Sequence, residues 1–231
     1  MSTLLTNLIS YWKLDEASGN ASDSHGSNTG VVSNITYVAG KINNAARFNG
    51  TTSKITLGNA PFNFTGDYSV SFWHYVPVGY NSDGYLCSRA SGTSPFVQWN
   101  IYISDANNGF VFQMNNTGAG ATNAINASGI ATGTWYHIVA TISGTNMLLY
   151  VNGTAGSSAT FSGTRPSLSI DTTYGIRSSG GAGITEGDID EGGIWDKALT
   201  ASEVTELYNG GAGLSYPFTS TANTGAFFAF F

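Results

Sequence analysis

The chain has 231 residues, of which 41% are hydrophobic and only 10% are charged, and its formal net charge is −6. That length and apolar content suffice for one domain with a sizeable core. The eight lysines and arginines are scattered, so no basic patch predicts nucleic-acid binding. No apolar run approaches the length of a membrane span, and the N-terminus lacks the positive charge of a secretory signal. We therefore expect a soluble protein that neither binds nucleic acid nor inserts into membranes.

Short runs of alternating apolar and polar residues recur along the chain, as is typical of strands with one buried face. The clearest such segments are residues 8–15, 68–76, 96–104, 109–114, 134–142 and 147–151. The last four form two pairs, and a short turn containing Asn joins the members of each pair. This arrangement predicts two β-hairpins. Because no helical pattern separates the strands, we expect an all-β antiparallel sandwich.

A single helix is predicted near the C-terminus, at residues 200–211. Thr200 is a favourable N-cap, and Glu203 three residues later completes a capping box, in which each side chain accepts a hydrogen bond from the other residue's free backbone N–H. We expect residues 1–218 to form one domain that ends with this short helix. Residues 219–231 would then be a flexible linker followed by a Phe-rich C-terminal tail.

Four segments, in this order, resemble the laminin-G-like, concanavalin A-like jelly roll. They are "YWKLDEASGNASDSHGSNTG", "AARFNGTTSKITL" with "GDYSVSFWHYV", "GTWYHIVATISGTNMLLYVNG" and "GDIDEGGIWDKALTASEVTELYNGG". The resemblance covers about residues 8–216. It implies an antiparallel jelly-roll sandwich, but it does not imply one function, because this fold serves lectins, adhesion modules, enzyme accessory domains and viral structural proteins.

Three carboxylates spaced E-x-D-x-x-E lie at the start of the last segment: Glu186 immediately precedes it, and Asp188 and Glu191 lie within it. Glycoside hydrolases of the same broad class carry a similar pattern, which implies Glu186 as nucleophile and Glu191 as acid/base. Retaining chemistry needs the two carboxyl groups about 5–5.5 Å apart. Strict alternation places Glu191 on the opposite face from Glu186, so catalysis requires a β-bulge. The segment also runs directly into a capped helix, as in non-catalytic members, and we therefore favour a protein that is not an enzyme.

Metal binding is a second interpretation of the acidic segment. The family resemblance brings the loop with Asp23 and Asn28 close to Asp190. Calcium takes six to eight oxygen ligands from carboxylates, amides and backbone carbonyls, so these three residues could hold a structural calcium. A third interpretation is purely structural. Ile189 and Ile194 already explain why the segment folds, and its acidic residues would then lie on a solvated face.

Aromatic side chains are further candidates, because a flat ring can cover the apolar face of a sugar. The glycan-binding candidates, chosen by loop or strand position, are Tyr80, Trp99, Tyr102 and Tyr174. The other tryptophans are expected in the core, namely Trp12, Trp73, Trp135 and Trp195. His74 and His137 lie in strongly apolar strands, and we expect hydrogen-bonded core histidines rather than ligands.

The tail contains four phenylalanines beyond the closing helix, Phe227, Phe228, Phe230 and Phe231. Four such side chains in water are unfavourable, so we expect them to dock on another subunit or on other virion proteins rather than on their own domain. With the low-charge surface and the family resemblance, this favours a structural or binding module of a bacteriophage particle: a decoration, fibre or tail protein at the virion surface, with accompanying glycan binding. A glycoside hydrolase using Glu186 and Glu191 is the alternative, and a stand-alone lectin is the second alternative.

Overall fold

A computed structural model describes residues 2–80, 83–91, 97–116, 120–126, 129–178 and 183–219. The strands, in chain order, are β1 (Leu8–Trp12), β2 (Val31–Ser33), β3 (Thr36–Ala39), β4 (Asn44–Asn49), β5 (Lys54–Gly58), β6 (Tyr68–Val76), β7 (Gly84–Ala90), β8 (Val97–Ser104), β9 (Gly109–Asn116), β10 (Gly120–Asn126), β11 (Thr134–Ser143), β12 (Asn146–Val151), β13 (Thr154–Ala155), β14 (Ala159–Thr160), β15 (Thr172–Tyr174) and β16 (Glu186–Trp195).

These strands form two sheets. The nine-stranded sheet has the order β13-β12-β11-β6-β16-β4-β3, with β1 paired to β16 and β14 paired to β12. The seven-stranded sheet has the order β10-β9-β8-β7-β15-β5-β2. Strands β8 and β9, and strands β11 and β12, are the two predicted hairpins, and both pairs are antiparallel. The predicted all-β antiparallel jelly-roll sandwich is thus confirmed.

Helix α1 (Ala201–Tyr208) begins at the predicted N-cap. Glu203 N donates to Thr200 Oγ1 at 3.2 Å, and Thr200 N donates to Glu203 Oε2 at 2.9 Å. The capping box is therefore confirmed, and it satisfies two backbone donors that the first helical turn leaves free. Four short 3₁₀ turns complete the described secondary structure, at Thr3–Leu5, Ala60–Phe62, Asp105–Asn107 and Asn209–Gly211.

The main core lies between the two sheets. Its largest fully buried side chains include Trp12, Phe48, Phe72, Trp99 and Tyr174. Each buried side chain of this kind stabilises the fold by ~1.5–3 kcal/mol relative to an exposed one. Trp12 is therefore a core residue, as the sequence predicts.

A second apolar cluster covers part of the outer face of the nine-stranded sheet. It consists of Leu4, Leu8, Tyr11, Val139, Tyr150, Trp195, Leu199, Val204, Leu207 and Phe218. Val204 and Leu207 belong to helix α1. Residues 213–218, which we call the strap, bring Phe218 against Tyr11 and Trp195, with ring centroids 5.1 and 6.3 Å apart. Helix α1 and the strap therefore cover this face together, and Trp195 is buried as predicted.

The other two tryptophans lie on the same outer face and differ in burial. Trp73 is buried against Tyr208 of helix α1, with ring centroids 5.9 Å apart. Trp135 is only half-buried, so its assignment to the core is wrong. The reason is its phase in β11: its neighbour Tyr136 points into the main core, so Trp135 points outwards.

Both strand histidines are core residues, as predicted. His74 Nδ1 lies 3.1 Å from the carbonyl oxygen of Asp188, and His137 Nε2 lies 3.0 Å from Ser71 Oγ. Burial lowers the pKa of each imidazole to about 3. Both rings are therefore neutral at physiological pH.

The described chain ends at residue 219, one residue beyond the buried Phe218. The predicted Phe-rich tail lies outside the described residues, and the boundary between domain and tail stays a prediction. None of the described helices is long and apolar enough to cross a membrane.

Candidate ligand-binding site

Strand β16 contains the E-x-D-x-x-E segment and lies between β6 and β4. Ile189 belongs to the main core, so its neighbour Asp188 points to the outer face of the sheet. Asp188 is directly opposite Arg47 of β4 on one side and Tyr75 of β6 on the other. Tyr75 is in turn opposite Trp135 of β11. Four adjacent strands thus place Arg47, Asp188, Tyr75 and Trp135 side by side, and we call this set the outer row.

Arg47 and Asp188 form a two-point ion pair within the outer row. Arg47 Nε donates to Asp188 Oδ1 at 2.8 Å, and Arg47 Nη2 donates to Asp188 Oδ2 at 3.0 Å. The carboxylate side chain is 3% exposed and the arginine side chain 52% exposed. The hydrogen bonds to Asp188 raise the pKa of Arg47. Because two parallel bonds restrict orientation more than one does, the guanidinium is held in place at the surface.

The aromatic half of the outer row is also partly exposed. Tyr75 and Trp135 are half-buried, with ring centroids 5.5 Å apart and ring planes at 51°. A pocket of about 250 Å³ adjoins the row, lined by Arg47, Phe48, Tyr75, Pro77, Glu186, Gly187 and Asp188. Aromatic faces suit the apolar faces of sugar rings, and the charged pair offers hydrogen bonds to hydroxyl groups. The outer row and its pocket therefore offer both the apolar surface and the hydrogen-bonding groups that a sugar ligand needs.

Gly187 is required for the shape of this pocket. Its φ is +121°, and a Cβ atom at this position would lie 2.2 Å from the carbonyl oxygen of Tyr75. A larger residue would therefore have to move β16 away from β6, which would separate Asp188 from Tyr75. Glu186, one residue earlier, is exposed at the edge of the pocket.

A β-bulge interrupts β16 two residues after Asp188. The pairing with β6 shifts between Asp190 and Gly193, and Glu191 has a φ of +51°. Bulges of this kind redirect a side chain out of strict alternation. Here the bulge brings Glu191 next to Tyr11, which belongs to the cluster on the outer face. The structure therefore contains the irregularity that the catalytic interpretation of E-x-D-x-x-E requires.

Asp190 and Glu191 are both buried at this bulge. Asp190 Oδ2 accepts hydrogen bonds from the backbone N–H groups of Lys41 and Ile42, at 2.8 and 2.9 Å. Asp190 Oδ1 and both oxygens of Glu191 have no hydrogen bond of normal length to the described residues. Burial raises the pKa of Asp190 to about 8, although these two N–H groups act in the opposite direction.

Glu191 lies beneath the strap. Tyr11 donates a long hydrogen bond of 3.4 Å to the carbonyl oxygen of Leu214, and the hydroxyl groups of Tyr11 and Ser215 both lie near the Glu191 carboxylate. Burial raises the pKa of Glu191 to about 7, and the two hydroxyl groups offset part of that effect. The carboxyl group is therefore partly protonated at neutral pH and is shielded from solvent.

The bulge does not produce a catalytic pair. Glu186 is exposed at the edge of the pocket, whereas Glu191 is 3% exposed and lies under the strap. Asp188, between them, is bound to Arg47. A glycosidase needs two carboxyl groups that flank an accessible bond. A glycan at the pocket could reach Glu186 but not Glu191, so the geometry favours binding over hydrolysis.

The side chain of Asp23 stabilises the N-terminal loop by accepting hydrogen bonds from its backbone. Asp23 Oδ1 accepts from the backbone N–H groups of Tyr11, His25 and Gly26 at 3.0, 3.1 and 2.8 Å, and Oδ2 accepts from Asn28 N at 2.9 Å. Burial raises the pKa of Asp23, but the backbone hydrogen bonds outweigh burial and lower it overall. The carboxylate is thus already solvated by the protein backbone.

The predicted calcium ligands fit a calcium ion poorly in this arrangement. Both carboxylate oxygens of Asp23 accept backbone N–H groups. Asn28 Nδ2 donates to Ser10 Oγ at 2.7 Å, so Asn28 could offer a metal only its Oδ1 atom. Of the three residues, only Asp190 retains an unpartnered carboxylate oxygen. No three His, Cys, Asp or Glu side chains of the described residues cluster in a way that could hold a metal. The calcium site stays a prediction, and no property of the outer row depends on it.

The four aromatic candidates are spread over different parts of the molecule. Trp99 and Tyr174 are fully buried between the sheets, so their assignment to glycan binding is wrong. Tyr174, for example, packs edge-on against Trp12 at 6.3 Å. Tyr80 and Tyr102 are half-buried and stay candidates. Tyr102 lies on the outer face of the seven-stranded sheet, with its ring 5.4 Å from that of Tyr85.

Sequence analysis missed three members of the outer row, Arg47, Tyr75 and Trp135. They come from three strands that are far apart in the chain, so no local motif connects them. A usable signal was present, because Tyr75 and Trp135 are out of phase with the apolar residues that fill the core from the same strands. Large aromatic residues in the outward phase are candidates for ligand contacts.

Comparison with solved structures shows the same fold in several binding domains. The chain is 19% identical to the binding domain of Paraclostridial Mosquitocidal Protein 1, with a TM-score of 0.71 and coverage of 89% of this chain and 52% of that one. It is 17% identical to the botulinum neurotoxin serotype D ligand binding domain in complex with N-acetylneuraminic acid (TM-score 0.71; coverage 89% and 51%). The chain therefore spans about half the length of these toxin domains.

A third structure is matched over nearly its whole length. It is domain 4 of AbnA, a GH43 extracellular arabinanase from Geobacillus stearothermophilus, in complex with arabinotriose. The identity is 22%, the TM-score is 0.63, and the match covers 87% of this chain and 98% of that domain. At these identities the similarities show the fold alone.

Sequence comparisons give the family. No curated protein matches the sequence significantly. The model of the Laminin_G_3 family, described as the concanavalin A-like lectin/glucanases superfamily, matches residues 49–205. This match includes Tyr75, Trp135 and Asp188 of the outer row, but not Arg47, and it includes most of both sheets. The chain therefore belongs to the Laminin_G_3 family of concanavalin A-like domains.

Proposed function

We propose that the chain is a non-enzymatic glycan-binding module and that the glycan binds along the outer row. The observation that carries the proposal is the half-exposed pair Tyr75–Trp135 beside the ion pair Arg47–Asp188. The rings offer apolar surface, and the charged pair offers fixed donors and acceptors. Because all four residues are on adjacent strands, the site is largely formed before the ligand arrives, which reduces the ordering penalty of binding.

The similar solved structures support binding rather than catalysis. The toxin structures are binding domains, one of them in complex with N-acetylneuraminic acid, and the arabinanase domain is in complex with arabinotriose. In this chain the burial of Glu191 is a further reason to prefer binding, because a jelly-roll hydrolase would need that carboxyl group in the open.

The first test is a titration calorimetry series with neutral oligosaccharides, including arabinotriose, on the full chain. We expect Trp135→Ala to weaken binding about tenfold, because an aromatic contact contributes about 0.5–1.5 kcal/mol beyond its buried area. The matched control is Tyr102→Ala, which removes a half-buried aromatic residue from the opposite sheet. Binding unaffected by Trp135→Ala but lost in Tyr102→Ala would place the site on the other sheet and overturn the proposal.

The enzymatic alternative is tested with the same protein. We expect no turnover of β-glucans, agars or carrageenans, because Glu186 has no accessible carboxyl partner at Glu191. Product release is measured by reducing-end assay over long incubations with wild type and Glu186→Gln. Turnover by the wild type that disappears in Glu186→Gln would show that the chain is a hydrolase.

We propose in addition that the module works as part of a bacteriophage virion, as a decoration, fibre or tail protein. The support comes from the sequence: few charges, a surface rich in small polar residues, and four phenylalanines at residues 227–231. A glycan-binding module at the surface of a particle would contact host glycans many times at once, which increases avidity without new contacts. Purification as a free monomer, with no particle association, would contradict this setting.

The tail gives a sharper test of assembly. A chain ending at Thr219 retains Phe218 and therefore the covered outer face. If the four phenylalanines dock on another subunit or on other virion proteins, this shorter chain should melt like the full-length chain but lose self-association or incorporation into particles. A strongly lowered melting temperature with unchanged association would show that the tail packs on its own domain.

A further inference from the structure

We infer that the outer row selects neutral sugars over acidic ones and that Glu186 is the residue that sets this preference. The inference rests on the proposed function and names the class of glycan. Its basis is the charge balance and the hydrogen-bonding capacity of the pocket next to the ion pair. It requires nothing from the buried carboxyl groups under the strap.

The pocket carries a net negative charge. Arg47 contributes one positive charge, which Asp188 balances through two hydrogen bonds. Glu186 also lines the pocket and is exposed, and among the described residues it takes part in no ion pair. The local sum is therefore one negative charge. An incoming carboxylate would meet like charge at short range, and like-charge juxtaposition disfavours a partner strongly.

The available hydrogen bonds match hydroxyl groups. A guanidinium has five N–H donors, and Asp188 uses two of those of Arg47. The Glu186 carboxylate is exposed and acts only as an acceptor, whereas the Asp188 carboxylate is 3% exposed and already accepts from Arg47 at both oxygens. A sugar hydroxyl both donates and accepts, so adjacent hydroxyl groups can donate to Glu186 and accept from the guanidinium of Arg47. A sugar carboxylate only accepts, and it would leave Glu186 without a donor.

The shape of the row indicates an oligosaccharide. Arg47 and Trp135 are separated by three strand-to-strand steps, which is roughly 14 Å at about 4.8 Å per step. A ligand that contacts both the aromatic pair and the ion pair must therefore lie across the strands. We expect a trisaccharide to bind more tightly than the monosaccharide from which it is built.

The test uses sugars that differ mainly in their charge. Suitable pairs are galactotriose with trigalacturonic acid and galactobiose with digalacturonic acid, measured by calorimetry on the full chain together with arabinotriose. For each pair in which binding is detected, we expect the neutral sugar to bind at least tenfold more tightly than the acidic sugar. Glu186→Gln should reduce this preference to a few-fold, because it removes the unpaired negative charge from the pocket.

The matched control is Asp196→Asn, which removes the same charge from an exposed residue just after the opposite end of β16. This variant should keep the wild-type preference. Acidic sugars that bind as tightly as neutral ones, with binding still lost in Trp135→Ala, would overturn the inference and leave the proposed function standing. Failure of every sugar to bind would overturn both the inference and the proposed function. An unchanged preference in Glu186→Gln would show that another group sets it.

Discussion

Asp188 and Glu191 are three residues apart in one strand and are equally buried, but they differ in what lies against them. Asp188 is paired with Arg47 and lines an open pocket. Glu191 lies beneath the strap, with no hydrogen bond of normal length to the described residues. Asp190 shares the second environment, although it accepts two backbone N–H groups. One strand thus passes from a buried carboxylate with a half-exposed arginine partner to one that takes part in no ion pair among the described residues.

The contrast shows that the two buried carboxylates are distinguished by their neighbours, a half-exposed arginine at Asp188 and the strap at Glu191. The outer face is open at Tyr75 and Trp135 and closed where helix α1 and the strap cross it. Under the cover, burial disfavours the charged form and raises the pKa of both Asp190 and Glu191. In the open part, a partner with the opposite charge is present. We call the part of the outer face under helix α1 and the strap, around Glu191, the closed half, and the part around Arg47 and Tyr75 the open half. Substitutions in the strap should affect the closed half, and substitutions at Arg47 should affect the open half.

Removing the anchor of the strap should have the largest effect. Phe218→Ala deletes a buried ring that contacts Tyr11 and Trp195, and Phe-to-Ala changes in cores lower stability by about 3–5 kcal/mol. Urea unfolding should show this loss, while sugar binding at the outer row should persist below the unfolding transition. Phe218→Leu is the control and should lose clearly less. Loss of sugar binding in a still-folded Phe218→Ala would mean that the two halves are not independent.

Glu191→Gln should make the closed half more stable at neutral to alkaline pH. The folded-state pKa of Glu191 is about 7, above that of an unfolded glutamate, so the folded chain holds more protons between about pH 4.5 and 7. Wild-type stability therefore loses this contribution as pH rises through that window. The variant removes the ionisation, and it should be more stable than wild type by roughly 2–3 kcal/mol at pH 8 and nearly equal at pH 4.

The measurement is the difference in unfolding free energy between the two proteins at several pH values. This difference cancels the opposite contribution of His74 and His137, whose lowered pKa values make stability rise between about pH 3 and 6.5. It also cancels Glu203, whose pKa of about 2 affects only acidic solutions. A difference that does not vary with pH would mean that Glu191 is not protonated in the folded chain.

Breaking the ion pair should affect the open half more modestly. Arg47→Ala leaves Asp188 buried without its partner, and because Arg47 is half exposed we expect a loss of about 1–2 kcal/mol rather than the larger value for fully buried pairs. Adding Asp188→Asn to Arg47→Ala should recover part of this loss, as measured by a double-mutant cycle. Additive effects of the two changes would show that the pair contributes no coupling energy.

Calcium should have the smallest effect. A site saturated at a hundredfold excess over Kd would stabilise the fold by about 2.7 kcal/mol. Because Asp23 already accepts four backbone N–H groups, we expect nearly equal melting temperatures in calcium and in EDTA. A calcium-dependent rise that disappears in Asp190→Ala would instead support the predicted site at Asp23, Asn28 and Asp190.

Much of the fold could be predicted from local patterns. The period of two in residues 134–142 indicated a strand with one buried face, and Thr200 with Glu203 indicated the start of helix α1. Both signals are properties of neighbouring residues, so they are present in the sequence itself. The candidate site was harder to predict from the sequence. Trp99 has the residue type of a sugar contact, but its phase in β8 directs it into the core.

By itself, the sequence determined an antiparallel sandwich with a capped C-terminal helix, because strand period and helix caps are encoded over a few residues. Only the tertiary structure decided that Arg47, Asp188, Tyr75 and Trp135 form one row, because that depends on the register of four strands from distant parts of the chain. It also decided that Glu191 is closed off. The reason is a bulge in β16 and a strap that crosses it, and neither the spacing of the carboxylates nor their chemistry contains that information.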